Sequence, residues 1–199
     1  MSSRGQQQQP RQTGQARQAG QTTQSPTDGF RPVGGLIYGV IGFVAAFVVT
    51  VVYFFYRIDE ITGGTVDSVL PDDPVALGWP FYNAHKVDIT TSVGSTSINY
   101  LEEIPQLDPL VFNAIPAVIL FLAGFAVARR VQEPLSDEAN AVAGASVAVG
   151  YVPVLAAGTV AFTVEEAGVS IGPELGLSLV LWGLLFSAGF GAIGGYLGG

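Results

Sequence analysis

The hydrophobic positions of this chain fall into four long blocks. Residues 33–56 carry no charged side chain, and the same holds for residues 110–128, 141–163 and 175–197. At a helical rise of ~1.5 Å per residue the first block reaches ~36 Å, and each block is of a length to cross a ~30 Å hydrocarbon core. The pattern predicts an all-α transmembrane fold, a four-helix bundle of these spans. A disordered tail over residues 1–32 precedes it, and residues 33–199 form one membrane domain.

The connection over residues 57–109 is too long for a simple loop and predicts structure of its own. Between positions 87 and 101 the period changes to two, with Ile89, Thr91, Val93, Thr96, Ile98 and Tyr100 on one face. Asp88, Thr90, Ser92, Ser97 and Asn99 take the other face, so a small β-hairpin with a polar and an apolar side is expected outside the membrane. Gly94-Ser95 suits a two-residue turn that sets Val93 against Thr96 and Thr91 against Ile98. Just before it, Trp79, Phe81 and Tyr82 fit an anchor at the membrane interface. The tail repeats Gln at every third position from Gln12 to Gln24 and has too little apolar surface to order itself.

Small residues run in stripes along the spans. Gly35, Gly39 and Gly42 share one face of the first, and Gly183, Gly191, Gly194 and Gly195 recur in the last. Helices in lipid associate by close backbone approach over such residues, so these positions are the expected packing seams. Phe43, Phe47 and Phe54 lie to one side of the first stripe and are expected to meet lipid. Pro153 should bend the third span near its middle.

Composition sharpens this reading. Mean hydropathy is +0.45 with 12% charged residues, far from the roughly one quarter of a soluble domain. Lysine and arginine near the span ends number six if the tail side is counted and two on the other (Arg57 and Lys86), which orients both termini to the cytoplasm. There is no cysteine, so thiolate and disulfide chemistry are absent. No basic stripe interleaves with aromatics, which argues against nucleic acid as a partner.

Candidate chemistry is sparse. His85 is the single histidine and Asp88 follows three residues later, with Asp72, Asp73, Glu102 and Glu103 able to approach through the hairpin. Those ligand types suit a divalent ion, but no recognised spacing is present, and local hydrogen bonding is the blander role for His85. Ser146, Thr159 and Ser187 beside the Pro153 bend are candidates to line a path for a solute or ion. No nucleotide-binding, nucleophile-elbow or zinc-protease motif occurs, and no block holds a base to activate a nucleophile. The chain is therefore read as no enzyme, with no cofactor and the lipid bilayer as its first partner. Three functions remain open: a non-catalytic accessory or scaffold subunit, an oligomeric transporter or channel, and an outer-face sensor or metal binder. The first two imply a membrane-protein partner or a homo-oligomer.

Trp79 followed by Phe81-Tyr82-Asn83-Ala84-His85, in the long loop of a small acidic four-span chain, resembles an uncharacterised family of haloarchaeal membrane proteins loosely called transporters. The resemblance implies a cell-membrane location and a high-salt habitat. It marks Tyr82 to His85 for mutation and supplies no catalytic residue.

Overall fold

The computed structural model describes residues 25–62, 73–93, 96–132 and 134–199. Helix α1 (Pro32–Thr62) is unbroken and runs past Arg57. The first connection holds α2 (Trp79–Asn83), strands β1 (Ile89–Thr91) and β2 (Ser97–Ile98), and the single turn α3 (Tyr100–Glu103). Helix α4 (Pro109–Ala128) follows, then α5 (Asp137–Ala145) and α6 (Ala148–Ala161), which together make the third long rod. Strands β3 (Val164–Glu166) and β4 (Val169–Pro173) lead into α7 (Leu177–Leu184), a π-helical turn over Leu185–Phe190, and α8 (Gly191–Gly198). Among the described residues four helical segments are long and apolar enough to cross a bilayer: Pro32–Ile61, Pro109–Arg129, Asp137–Ala161 and Leu177–Gly198.

Local chemistry sets several boundaries. Asp108 accepts from the Leu110 N–H with Pro109 at the first helical position, and Ser136 accepts from the Ala139 N–H. Each cap satisfies an amide that a starting helix leaves free. The third rod is interrupted at Ser146 and Val147, before Pro153 rather than at it. There the Val147 N–H turns to Gly144 O (3.2 Å) and the Ser146 hydroxyl donates to Val142 O (3.0 Å). Such back-bonding by serine tightens and bends a helix. Pro153 itself sits inside α6 with its ring on the exposed side.

Close backbone contact explains the glycine stripes. A Cβ on Gly35 would lie 2.0 Å from Ser146 O, and one on Gly39 would lie 2.3 Å from Val147 O. In the last rod Gly191 meets Gly144 and Gly124, Gly194 meets Phe121 O, and Gly195 meets Asn140 O. Gly42 and Gly183 meet only side chains, at 3.8 Å and 3.0 Å.

The two connections at one end of the bundle share a four-stranded antiparallel sheet of order β2-β1-β4-β3. The hairpin is thus one half of a larger sheet, and the short acidic connection between the third and fourth rods is itself a hairpin. Its turn has positive φ at both Ala167 (50°) and Gly168 (80°), the conformation of a type I′ turn. In the first hairpin Ile89 pairs with Ile98 and Thr90 with Ser97. This is a slip of two residues from the expected register, in which Ile98 faces Thr91, and it leaves Ile89 and Ile98 on one face. The slip follows from Tyr100, whose N–H goes to the Asn83 side chain (2.9 Å) while Asn99 caps α3. Gly94 and Ser95 lie outside the described residues.

Two further expectations differ from the structure. The tail was expected to be disordered through residue 32, but Pro26–Gly29 form a 3-10 turn packed on α5. A Cβ on Gly29 would strike Ala139 O, and the Arg31 N–H donates to the Ser146 hydroxyl at 3.0 Å. Residues 1–24 lie outside the described residues. Phe43 and Phe54 were expected to meet lipid, yet both are buried, and Phe47 is half-buried against Phe81 and Phe162.

Candidate functional site

Residues 74–86 turn back into the sheet end of the bundle. The Asp73 carboxylate caps a 3-10 turn over Pro74–Gly78 by accepting from the Val75 N–H at 2.8 Å. Pro80 then sits in the first turn of α2, a position where a missing N–H costs nothing. The chain leaves through Lys86, a non-glycine residue with φ of 58°. Every residue from Trp79 to His85 is buried. The aromatic cluster expected at the interface is therefore an interior plug, because its hydrogen bonds are all supplied inside.

Those bonds descend the third rod in steps. The Trp79 indole donates to Phe162 O (2.8 Å), the Tyr82 hydroxyl to Leu155 O (2.7 Å), and His85 Nε2 meets the Tyr151 hydroxyl (2.6 Å). Eleven residues separate Tyr151 from Phe162, ~16 Å along a helix. Irregular backbone inserted among apolar helices is tolerated only when it is covered by protein. Here Phe43, Phe47 and Phe186 cover it, with ring centroids 5.1 and 5.6 Å from Phe81 and 5.3 Å from His85 respectively. Asn83 locks the return by donating to Val87 O at 2.9 Å and accepting from Tyr100.

The tautomer of His85 follows from its partners. Phe81 O can only accept, so Nδ1 carries the proton it donates (2.8 Å), and Nε2 accepts from the Tyr151 hydroxyl. Complete burial disfavours the imidazolium and brings His85 down to about 4, against a small opposing pull from the Phe81 carbonyl. Burial also pushes the Tyr82 and Tyr100 phenols up. The result is a neutral, fully bonded imidazole with no carboxylate bonded to it among the described residues.

The metal candidates are not brought together. Both His85 nitrogens are engaged, while Asp88 accepts from Ser97 Oγ (2.6 Å) and Asn99 Nδ2 (3.4 Å) at the sheet. Glu102 pairs with Lys86 at 2.9 Å, Asp73 caps a turn, and Asp72 lies outside the described residues. Among the described residues no three His, Asp or Glu side chains group as a metal site. The solute-path candidates bond within their own rods: Ser146 to Val142 O, Thr159 to Ala156 O (2.8 Å) and Ser187 to Gly183 O (2.6 Å).

Tyr151 and Phe186 complete the His85 environment and were not singled out from the sequence. One signal was available. Pro74 to Ala84 is uncharged and mostly apolar, and a run of that length reads as a buried or re-entrant segment. Beside the plug lies an apolar groove of about 420 Å³ bounded by Lys86, Asn113, Trp182, Phe186 and Phe190. The π-helical turn forms one wall, and Asn113 Oδ1 is buried there without a hydrogen-bond partner.

The chain belongs to a family of unknown function (DUF7978), which matches residues 14–199. Comparison with curated proteins and with solved structures finds no significant match.

Proposed function

We propose that this member of the family is a non-catalytic membrane protein, an accessory or scaffold subunit whose spans present the four-stranded sheet to a partner protein. The observation that carries the reading is the plugged bundle. Residues 74–86 occupy the sheet end with apolar rings, and the Ser146, Thr159 and Ser187 hydroxyls are spent on carbonyls of their own helices. A conducting path would need those hydroxyls turned toward water or solute. A neutral His85 with both nitrogens engaged likewise offers no base to a substrate.

In this reading both termini face the cytoplasm. The positive-inside count supports that orientation. At the sheet end Arg57 bonds Glu60 and Lys86 bonds Glu102. Among the described residues Arg31, Arg129 and Arg130 at the opposite end have no ion-paired carboxylate. The acidic balance, sixteen acids against eight bases, supports a high-salt habitat.

Native mass spectrometry of the protein extracted gently from its own membrane tests the function. The expected result is a second protein at fixed stoichiometry. A homo-oligomer that conducts a solute in proteoliposomes with no other protein would refute it. Single-cysteine labelling checks orientation, since the chain has no native cysteine. Val93→Cys should react with an impermeant reagent on intact cells and Gly5→Cys should not.

A further inference from the structure

The end of the bundle away from the sheet carries a cleft of about 350 Å³ between the start of α1 and the end of α4. Its walls are apolar, formed by Val33, Gly34, Tyr38 and Val127, and two arginines, Arg31 and Arg130, also line it. Arg31 is held by Nη1, which donates to Asp28 O (2.7 Å) and Phe30 O (3.3 Å). Arg130 lies over the Tyr38 ring, 5.1 Å from its centroid. Two cations therefore stand over a greasy trough with no carboxylate paired to either among the described residues.

The surroundings say which way the trough faces. Val33 is 70% exposed and Ile37 52% exposed on the same flank of α1, a surface that meets acyl chains once the helix spans a bilayer. Gly34 leaves its wall open, because a Cβ there would come no closer than 3.8 Å to Arg31 and Val127. The free amides at the start of α1 add positive potential at the same level.

We propose that this cleft binds one anionic phospholipid. The phosphate bridges Arg31 and Arg130, and an acyl chain lies along Gly34, Tyr38 and Val127. Charge complementarity selects the headgroup and the apolar walls select a lipid over a soluble anion. The inference rests on the chain spanning a bilayer, and not on its being an accessory subunit. A flux measurement that overturned the proposed function would leave it intact.

The test titrates delipidated protein in zwitterionic detergent with phosphatidylglycerol, with phosphatidylcholine of the same chains, and with inorganic phosphate. Bound lipid is counted by native mass spectrometry and melting is followed by tryptophan fluorescence. The expected result is one retained phosphatidylglycerol and a saturable rise in Tm that phosphatidylcholine and phosphate do not give. Arg31→Gln with Arg130→Gln should weaken that binding roughly 30-fold, about fivefold per arginine. Gly34→Leu, which keeps both charges and fills the trough, should abolish the retained lipid, while Arg57→Gln at the sheet end should bind as the parent does. Equal effects of the two lipids, an equal effect of phosphate alone, or unchanged binding in the double arginine variant would each overturn the proposal. So would full lipid retention by Gly34→Leu.

Discussion

Acidification should destabilise this protein through one side chain, His85. Its native imidazole titrates at about 4, while the unfolded chain titrates it at 6.5. Between those values the unfolded state takes up a proton that the folded state refuses, so stability is complete above the unfolded value and is lost as pH falls. Integrating the linkage from about pH 7.5 to about pH 5 gives a loss of about 2 kcal/mol from this group. The measurement is a set of unfolding curves in detergent, read by the fluorescence of Trp79 and Trp182, for the parent and for His85→Gln. Glutamine keeps a donor and an acceptor and cannot be protonated in this range. It will lower stability at neutral pH, so the quantity compared is the slope with pH and not the starting value. Contributions common to both proteins cancel in the difference. The parent should lose about 2 kcal/mol more than the variant over the interval. Parallel curves would show that the imidazole reaches water or a proton in the native state, and the interior plug would be wrong.

Three further outcomes follow from the packing. Tyr151→Phe removes the donor to His85 Nε2 and leaves a buried acceptor unpaired, which should cost about 1–3 kcal/mol in the same unfolding assay at neutral pH. Gly35→Ala drives a methyl group into Ser146 O and should destabilise by about 1–3 kcal/mol; Gly42→Ala, with 3.8 Å of room, should melt within a degree or two of the parent, about the scale of a neutral change. Ala167→Asn places a residue that tolerates positive φ at the first turn position of the β3–β4 hairpin. It should raise stability by up to about 1 kcal/mol, read as a higher Tm.

What the chain alone determines is its rods and their sides. Uncharged runs of membrane length need no tertiary context, because a backbone in lipid must satisfy its own hydrogen bonds and only a helix does so within one segment. The stripes holding Gly35, Gly39, Gly191, Gly194 and Gly195 are legible for the same reason, since 3.6 residues per turn fixes which positions share a face. The Trp79 to His85 stretch is different. Its rings could lie at a membrane surface or inside a protein, and the decision rests on partners far along the chain: Phe162 O, Leu155 O and the Tyr151 hydroxyl. The joining of the two hairpins through β1 and β4 is likewise set by where the second and fourth rods begin and the third ends. No local period records those distances, so tertiary structure decided whether His85 stood in water beside Asp88 or neutral and buried against Tyr151.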